Sequence, residues 1–132
     1  MTRKILVADT PDADRRFSAI LSGDDLVSVR TLEQAERAIE AAHFDMVLVS
    51  VHFDESRMFD LLRHLQASGR QTDCAVVCTR SYRFISPAIS IEGLEVAIKA
   101  LGCDLFLDLT KYRDDAQGNA AIGKLLDDLL GP

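Results

Sequence analysis

The sequence predicts an α/β protein in which a parallel sheet of five strands is covered by helices on both faces. The segment from Asp45 to His52 contains an unbroken aliphatic and methionine run with no alternation, which is typical of a strand buried on both faces. Strand-like apolar runs and stretches with helical spacing then alternate five times along the chain. Such alternation is typical of one parallel sheet with right-handed crossovers.

Length and charge limit the classes of function. The 132 residues suffice for one domain, 1–132, with one core, and the segment can be a whole protein or part of a longer chain. The formal net charge of -6 argues against nucleic-acid binding, because phosphate backbones attract positive surfaces. The first apolar run is too short for a signal peptide or a membrane span, so a cytoplasmic protein is expected. Three cysteines, Cys74, Cys78 and Cys103, do not suggest a disulfide framework. Cys74 and Cys78 are predicted to be buried thiols and not metal ligands, because they lie in an apolar run and lack a second Cys/His pair.

Apolar spacing and turn residues define the elements of the first half. Thr10-Pro11 predicts a helix start, with a hydroxyl N-cap and proline at the first helical position. The residues from Thr31 to Gln34 form a capping-box pattern, which predicts a second helix start. The predicted order is a strand at 5–8, a helix closed by Ser22-Gly23, a strand at 26–30, a helix with the stripe Leu32, Ala35, Ile39 and Ala42, and the central strand.

The second half continues the alternation. Its connection from Arg80 to Ser90 is longer than most in a compact α/β domain. The predicted order is a helix with the stripe Met58, Leu61, Leu62 and Leu65, a strand at 75–78 that ends in Thr79, a helix with Leu94, Ile98 and Leu101 that Gly102 stops, a strand at 105–107, and a last helix with Ile122, Leu125, Leu126 and Leu129.

Several short motifs resemble the receiver domain of two-component response regulators. Ile5 to Asp9 is similar to the first strand and its acidic end, and Asp45 to Val51 to the phosphoacceptor strand. Thr79 stands at the family's switch hydroxyl, and Gly102 to Leu107 is similar to the run into the fifth strand, with Phe106 at the aromatic switch position. The resemblance covers nearly the whole chain and implies a flavodoxin-like (βα)5 three-layer sandwich that acts in signalling.

The same resemblance shows what the phosphorylation pocket lacks. Asp9 supplies one acid of the expected pair, but Thr10 replaces the second, Ser50 replaces the phosphoacceptor aspartate, and Leu109 replaces the lysine. A serine cannot form an acyl phosphate, and Mg²⁺ prefers carboxylate oxygens. A pseudo-receiver is therefore expected, which is not an enzyme, needs no cofactor or metal, and binds signalling proteins. Thr79 is expected to keep only a structural hydrogen bond to Ser50.

Other side chains offer substitutes for the missing groups. Asp54, Asp12 or Asp14 is a candidate replacement carboxylate, which would restore phosphorylation on another acid. The competing interpretation is structural. Asp12 and Asp14 would lie in the first turn of a helix, where a negative charge interacts favourably with the helix dipole, and Asp54 would cap the next helix. Lys111 reaches the pocket if the fifth strand carries a bulge, and is otherwise a solvated loop residue.

Two basic clusters with aromatic residues follow the fourth and fifth strands. We interpret them as a recognition surface for an acidic partner segment or an anionic small ligand, since Tyr and Arg are enriched in binding hot spots. The competing interpretation is two solvated loops. The resemblance adds that the fourth helix, fifth strand and fifth helix form the usual contact face, so a homodimer is possible. The clusters are Arg80, Tyr82, Arg83 and Phe84, and Lys111, Tyr112 and Arg113.

Two further classes of function are weaker candidates. A small-ligand binder would use the carboxyl edge of the sheet, as flavodoxins do with flavin. The acidic segment from Thr10 to Asp14 argues against it, because it would repel phosphate. An enzyme would need Ser50 as nucleophile with a histidine base, for which His52 is a weak candidate.

Overall fold

The structure, a computed structural model, describes residues 2–81 and 90–131. The strands are β1 (Lys4–Ala8), β2 (Asp25–Val29), β3 (Met46–Ser50), β4 (Ala75–Arg80) and β5 (Leu105–Asp108). The helices are α1 (Asp14–Ile20), α2 (Leu32–Ala41), α3 (Met58–Ser68), α4 (Ile91–Ala100) and α5 (Ala116–Leu130). Short 3-10 helices precede α1 and follow α3 and β5, at Pro11–Ala13, Arg70–Thr72 and Leu109–Lys111.

The five strands form one parallel sheet in the order β2-β1-β3-β4-β5. All five residues of β3 are buried, which confirms that the unbroken apolar run is the centre of the sheet. Because parallel strands end at the same edge, their carboxyl ends bring Asp9, Ser50, Thr79 and Asp108 to one side of the molecule.

Helices cover both faces of the sheet, as the alternation of elements predicts. Phe17 of α1 and Ile122 and Leu126 of α5 pack in one apolar cluster against the sheet. Residues of α2, α3 and α4 form the second cluster on the opposite face. Burial on both faces makes the sheet the middle of three layers, which confirms the predicted three-layer sandwich.

The helix ends follow the sequence closely, with two differences. The Thr31 hydroxyl accepts a hydrogen bond from the Gln34 N–H at 3.1 Å, but the Gln34 side chain accepts from the N–H of Arg30 instead of that of Thr31. The apolar stripe of α5 is narrower than predicted: Ile122 and Leu126 are fully buried, whereas Leu125 is 37% exposed. Across the parts of the chain that the structure describes, no helix combines the length and apolarity needed to cross a membrane.

Candidate functional site at the carboxyl edge of the sheet

A buried carboxyl group lies at the end of β1. Asp9 is 2% exposed, and its Oδ1 accepts a hydrogen bond from the Thr10 N–H at 2.7 Å. Its Oδ2 has no hydrogen-bond partner among residues 2–81 and 90–131. Burial raises the pKa of Asp9 to about 6, against the opposing effects of the Thr10 N–H, the nearby Ser50 hydroxyl and the charge of Arg30. The edge therefore holds a carboxyl group that its surroundings keep from ionising easily.

Ser50 ends the central strand and is completely buried. Its Oγ accepts a hydrogen bond from the backbone N–H of His52 at 3.1 Å, so the contact seen between these residues does not use the imidazole. Burial, and then the charge of Arg80, lower the pKa of His52. This arrangement gives no support to a serine nucleophile with His52 as its base, since the base would have to hydrogen-bond Oγ through its ring.

Thr79 lies beside Ser50 in the register of β4 and β3. The predicted hydrogen bond between their hydroxyls is wrong: both side chains are fully buried, yet the Thr79 Oγ1 has no partner within the described part of the chain. The Ser50 hydroxyl accepts from the His52 N–H and donates its one proton to the Asp9 carboxyl, so it has no proton to offer Thr79. Thr79 and Asp9 therefore each bring one unsatisfied polar atom to the same edge.

The candidate replacement carboxylates are held by other groups. Asp54 Oδ2 accepts a hydrogen bond from the Leu32 N–H at 2.8 Å, so it caps α2. The prediction that Asp54 caps the following helix, α3, is therefore wrong. Asp14 forms an ion pair with Arg30 and accepts a hydrogen bond from Ser28. Asp12 lies in the 3-10 helix before α1. The contacts of Asp54 and Asp14 favour structural roles for these two carboxylates.

The loop that carries Asp54 has a strained backbone. Asp54, Glu55 and Ser56 have φ values of 42°, 54° and 70°, in the left-handed region that favours glycine. Such residues cost on the order of 1–2 kcal/mol each. The hydrogen bond from Leu32 to Asp54 helps hold this conformation, and it joins the end of β3 to the start of α2.

The residues at the lysine position do not restore a cation to the pocket. Leu109 is 2% exposed and packs into the core between the sheet, α1 and α5. Lys111 ends the 3-10 helix that follows β5 and is exposed. β5 runs without a bulge from Leu105 to Asp108, so the condition under which Lys111 would reach the pocket is not met.

A buried ion pair replaces part of the predicted basic surface. Arg80 donates to Asp108 Oδ2 at 2.9 Å across the β4–β5 pairing, and their side chains are only 15% and 8% exposed. Asp108 Oδ1 accepts from the Thr110 N–H and hydroxyl. Although burial opposes it, these hydrogen bonds and the Arg80 charge lower the pKa of Asp108. Arg80 is therefore committed to the sheet edge and is not a solvated cation.

The other residues of the predicted surface are partly described. Tyr82, Arg83 and Phe84 lie outside the described residues. Lys111 and Arg113 are exposed, whereas Tyr112 is half-buried and packs against the core. Two exposed acids, Asp114 and Asp115, follow Arg113 directly and reduce the positive charge of this loop.

Arg16 of α1 holds the loop after β5 in place, and nothing in the sequence pattern indicates this role. Its guanidinium donates to the carbonyls of Leu109, Tyr112 and Arg113 and to the side chain of Asn119. A Cβ at Gly118 would lie 1.9 Å from the Arg113 carbonyl oxygen, so the backbone of this loop packs closely against the first turn of α5. The loop after β5, where the resemblance places a lysine, is thus held by the guanidinium of Arg16 from α1.

Solved structures of response-regulator receiver domains share this fold. A response regulator from Thermotoga maritima is 15% identical with a TM-score of 0.75, and 98% of each chain is covered. A phosphorylated cyanobacterial phytochrome response regulator is 14% identical with a TM-score of 0.76, over 99% of this chain and 96% of that one. The receiver domain of a sensor histidine kinase from Pseudomonas aeruginosa, with a magnesium ion coordinated in its active-site cleft, is 17% identical with a TM-score of 0.75 over 100% of both chains.

These likenesses show the fold alone. The chain has the receiver-domain fold, a flavodoxin-like arrangement of five parallel strands and five helices, which confirms the predicted fold class. No family model matches the sequence, and no curated protein does so.

The residues of this edge fit a magnesium ion poorly. The ion is usually held by one or two carboxylates together with other oxygens. Here two carboxyls are buried, and Asp108 is paired with Arg80, which leaves Asp9 with the neutral hydroxyls of its neighbours Thr10 and Ser50. Within residues 2–81 and 90–131, no three His, Cys, Asp or Glu side chains are grouped to hold a metal ion.

Proposed function

We propose that this protein is a receiver-like signalling module that acts by protein–protein interaction without aspartyl phosphorylation and without enzymatic activity of its own. The observation that carries the proposal is Ser50, fully buried at the end of the central strand in the position where the resemblance places the phosphoacceptor. A hydroxyl there cannot become an acyl phosphate.

Three further features support the absence of phosphorylation. The adjacent carboxyl, Asp9, is buried and is the one acid left of the expected pair, since Thr10 stands in place of the second. Leu109 is part of the core, so no lysine contacts the pocket from the position after β5. Asp54, the replacement acid nearest to Ser50 in sequence, is engaged by the Leu32 N–H.

The binding of a small anionic ligand has less support. The Arg80 guanidinium at this edge is paired with Asp108, and the Arg30 guanidinium with Asp14. The Asp9 carboxyl, which hydrogen-bonds the Ser50 hydroxyl, would repel an anion when ionised. The protein-binding function is therefore favoured over the ligand-binding one.

Intact mass after incubation with acetyl phosphate and Mg²⁺ tests the absence of phosphorylation. We expect no added phosphate on the wild-type protein, because Ser50 offers no carboxylate and the neighbouring acids are buried or hydrogen-bonded. The Ser50→Asp variant is run alongside. Phosphate on that variant alone would show that the wild type lacks only a carboxylate at position 50. A hydroxylamine-labile phosphate on the wild type would show that another acid accepts phosphate, and the proposal would be wrong.

The contact surface is best placed on α4 and α5, which flank the edge strand β5. Val96 of α4 is 71% exposed and Leu125 of α5 is 37% exposed, and these are the exposed large apolar residues of the described chain. Phe106 of β5, between the two helices, is only partly buried. Exposed apolar side chains on an otherwise charged surface are a common feature of interaction sites.

Substitution of Val96 by aspartate tests this surface. We expect self-association, measured by sedimentation velocity over a concentration series, to weaken at least tenfold, because a charge replaces an apolar contact. The free energy of unfolding is expected to change by less than about 0.5 kcal/mol, since the side chain is exposed. Glu92→Gln, an exposed change on the same helix, is the control. A wild-type protein that stays monomeric at all concentrations would rule out the homodimer. Partner binding that Val96→Asp does not change would place the interface elsewhere.

A further inference from the structure

The edge strand β2 has one hydrogen-bonding side that faces away from the sheet. In the described sheet it pairs only with β1, in an unbroken register over its whole length. The Asp25 N–H donates to the carbonyl of Arg3 at 2.8 Å, so Asp25 and every second residue after it face β1. The backbone N–H and C=O groups of Leu26 and Ser28 therefore point outward.

These outward groups are open to pairing. Within the described parts of the chain, no hydrogen-bond partner satisfies the backbone of Leu26 or Ser28. The free stretch ends at Arg30, whose N–H donates to the side chain of Gln34 at 2.8 Å. Proline, lysine and bulges usually block strand edges, and β2 contains none of them. A regular, unblocked edge of this kind is a template for another strand.

We propose that β2 pairs antiparallel with the β2 of a second copy of this chain, about a twofold axis at Val27, so that the two sheets join into one. The proposal does not depend on the absence of phosphorylation at Ser50. β2 and β5 are the opposite edges of the sheet, so this contact is separate from the surface on α4 and α5.

The spacing of the outward groups is self-complementary. With Val27 on the twofold axis, Leu26 of each copy lies opposite Ser28 of the other. Both residues face outward, so each such pair exchanges both of its N–H···O=C hydrogen bonds. The two Val27 side chains form the close, non-hydrogen-bonded pair on the axis, and each is only half-buried in the single chain. The pairing therefore satisfies the free backbone groups of both copies.

The charges that flank β2 favour the antiparallel direction. Asp24 precedes the strand and Arg30 follows it, and their ion pairs with Arg3 and Asp14 hold both side chains in place. Antiparallel pairing places Asp24 of one copy across from Arg30 of the other, whereas parallel pairing in register would place like charges opposite each other. Opposite charges across a strand pair are stabilising and like charges are destabilising. The flanking charges therefore suit a second copy in this orientation.

Proline at position 28 removes one donor of the proposed pairing and leaves the ladder to β1 intact. The Ser28 N–H faces outward, and edge strands tolerate proline where the missing N–H faces solvent. Ser28→Ala is the matched control. It loses the same hydroxyl contact to Asp14 as Ser28→Pro does, but it keeps the backbone N–H.

Sedimentation velocity over a concentration series tests the pairing in the Val96→Asp background, which removes the self-contact proposed for α4. We expect a weak dimer, because β2 has only 5 residues and the contact is small. Ser28→Pro is expected to weaken this dimer by about tenfold or more, and Ser28→Ala to leave it nearly unchanged. Far-UV circular dichroism checks that the proline variant is folded.

Amide hydrogen exchange, followed by NMR, gives a second test that needs no substitution in the strand. In the Val96→Asp protein, the N–H groups of Leu26 and Ser28 should become protected as the protein concentration rises. The N–H of Val27 faces β1 and should be protected at every concentration. If Ser28→Pro does not fold, this measurement decides the question alone.

Three results would overturn the proposal. The first is equal association of Ser28→Pro and Ser28→Ala. The second is exchange at Leu26 and Ser28 that does not depend on concentration, and strong protection at every concentration would mean that another part of the same chain covers the edge. The third is a monomer throughout the series, which would leave the edge to a different protein.

Discussion

Replacement of Asp9 by asparagine is expected to stabilise the protein by about 1–3 kcal/mol at about pH 7.5. The wild-type carboxyl is 2% exposed, and its Oδ2 has no hydrogen-bond partner in the described structure, so ionisation leaves an inadequately solvated charge. Asparagine is nearly the same size and retains an oxygen that can accept from the Thr10 N–H. It removes the charge and keeps the contact.

The pH dependence of this effect has a defined sign. The pKa of Asp9 rises from 3.8 to about 6 on folding, so its protonated form contributes stability that is complete below 3.8 and is lost as the pH rises through about 6. The advantage of Asp9→Asn should therefore grow between these two values and stay constant above them. Urea unfolding of both proteins across this range measures it, with the exposed Asp25→Asn as control. An Asp9→Asn protein that is less stable at neutral pH would show that the ionised carboxyl has a partner.

Replacement of Asp108 by asparagine is expected to act in the opposite direction and to cost about 3 kcal/mol. The Asp108 carboxylate receives hydrogen bonds from Arg80 and from both donors of Thr110, and the side chains of the ion pair are nearly buried. Removal of the negative charge takes away the Arg80–Asp108 ion pair and weakens the hydrogen bonds that Asp108 receives at the sheet edge. Chemical denaturation at neutral pH measures the loss.

A second variant separates the ion pair from the hydrogen bonds to Thr110. In the Arg80→Met protein, Asp108→Asn should cost distinctly less than in the wild type, and the difference is the coupling energy of the pair. Because the pKa of Asp108 is lowered on folding, its contribution is present above the usual value of 3.8 and disappears as the pH falls through the lower folded value. Asp128→Asn on the exposed side of α5 is the control. Equal costs in both backgrounds would mean that the ion pair contributes nothing.

The sequence predicts the parts of this structure that depend on local pattern. The buried central strand, the helix start at Thr31 and the alternation of elements follow from periodicity and turn chemistry. The predicted hydroxyl cap at Thr10 is wrong, because only a 3-10 turn begins there, the Thr10 side chain does not cap it, and α1 begins at Asp14. The resemblance also indicates which strand ends matter, since Asp9 and Ser50 do lie together at the carboxyl edge.

The interactions that complete this edge could not be read from the chain. Arg80 and Asp108 are 28 residues apart and meet only through strand register. Asp54 lies next to the helix α3 that it was expected to cap, yet the left-handed turn aims its carboxylate at α2 instead. Such partners are selected by side-chain direction in the folded state, which no local pattern of apolar and polar residues encodes.

The Arg16 contact has a consequence for the order in which the protein folds. Its acceptors at Leu109, Tyr112, Arg113 and Asn119 lie 93 to 103 residues further along the chain. Closing so long a loop is entropically costly until the intervening strands have assembled. We therefore expect the Arg16 guanidinium to reach its acceptors after the rate-limiting barrier, so that its loss speeds unfolding more than it slows folding. Arg16 contributes chiefly to the lifetime of the folded state.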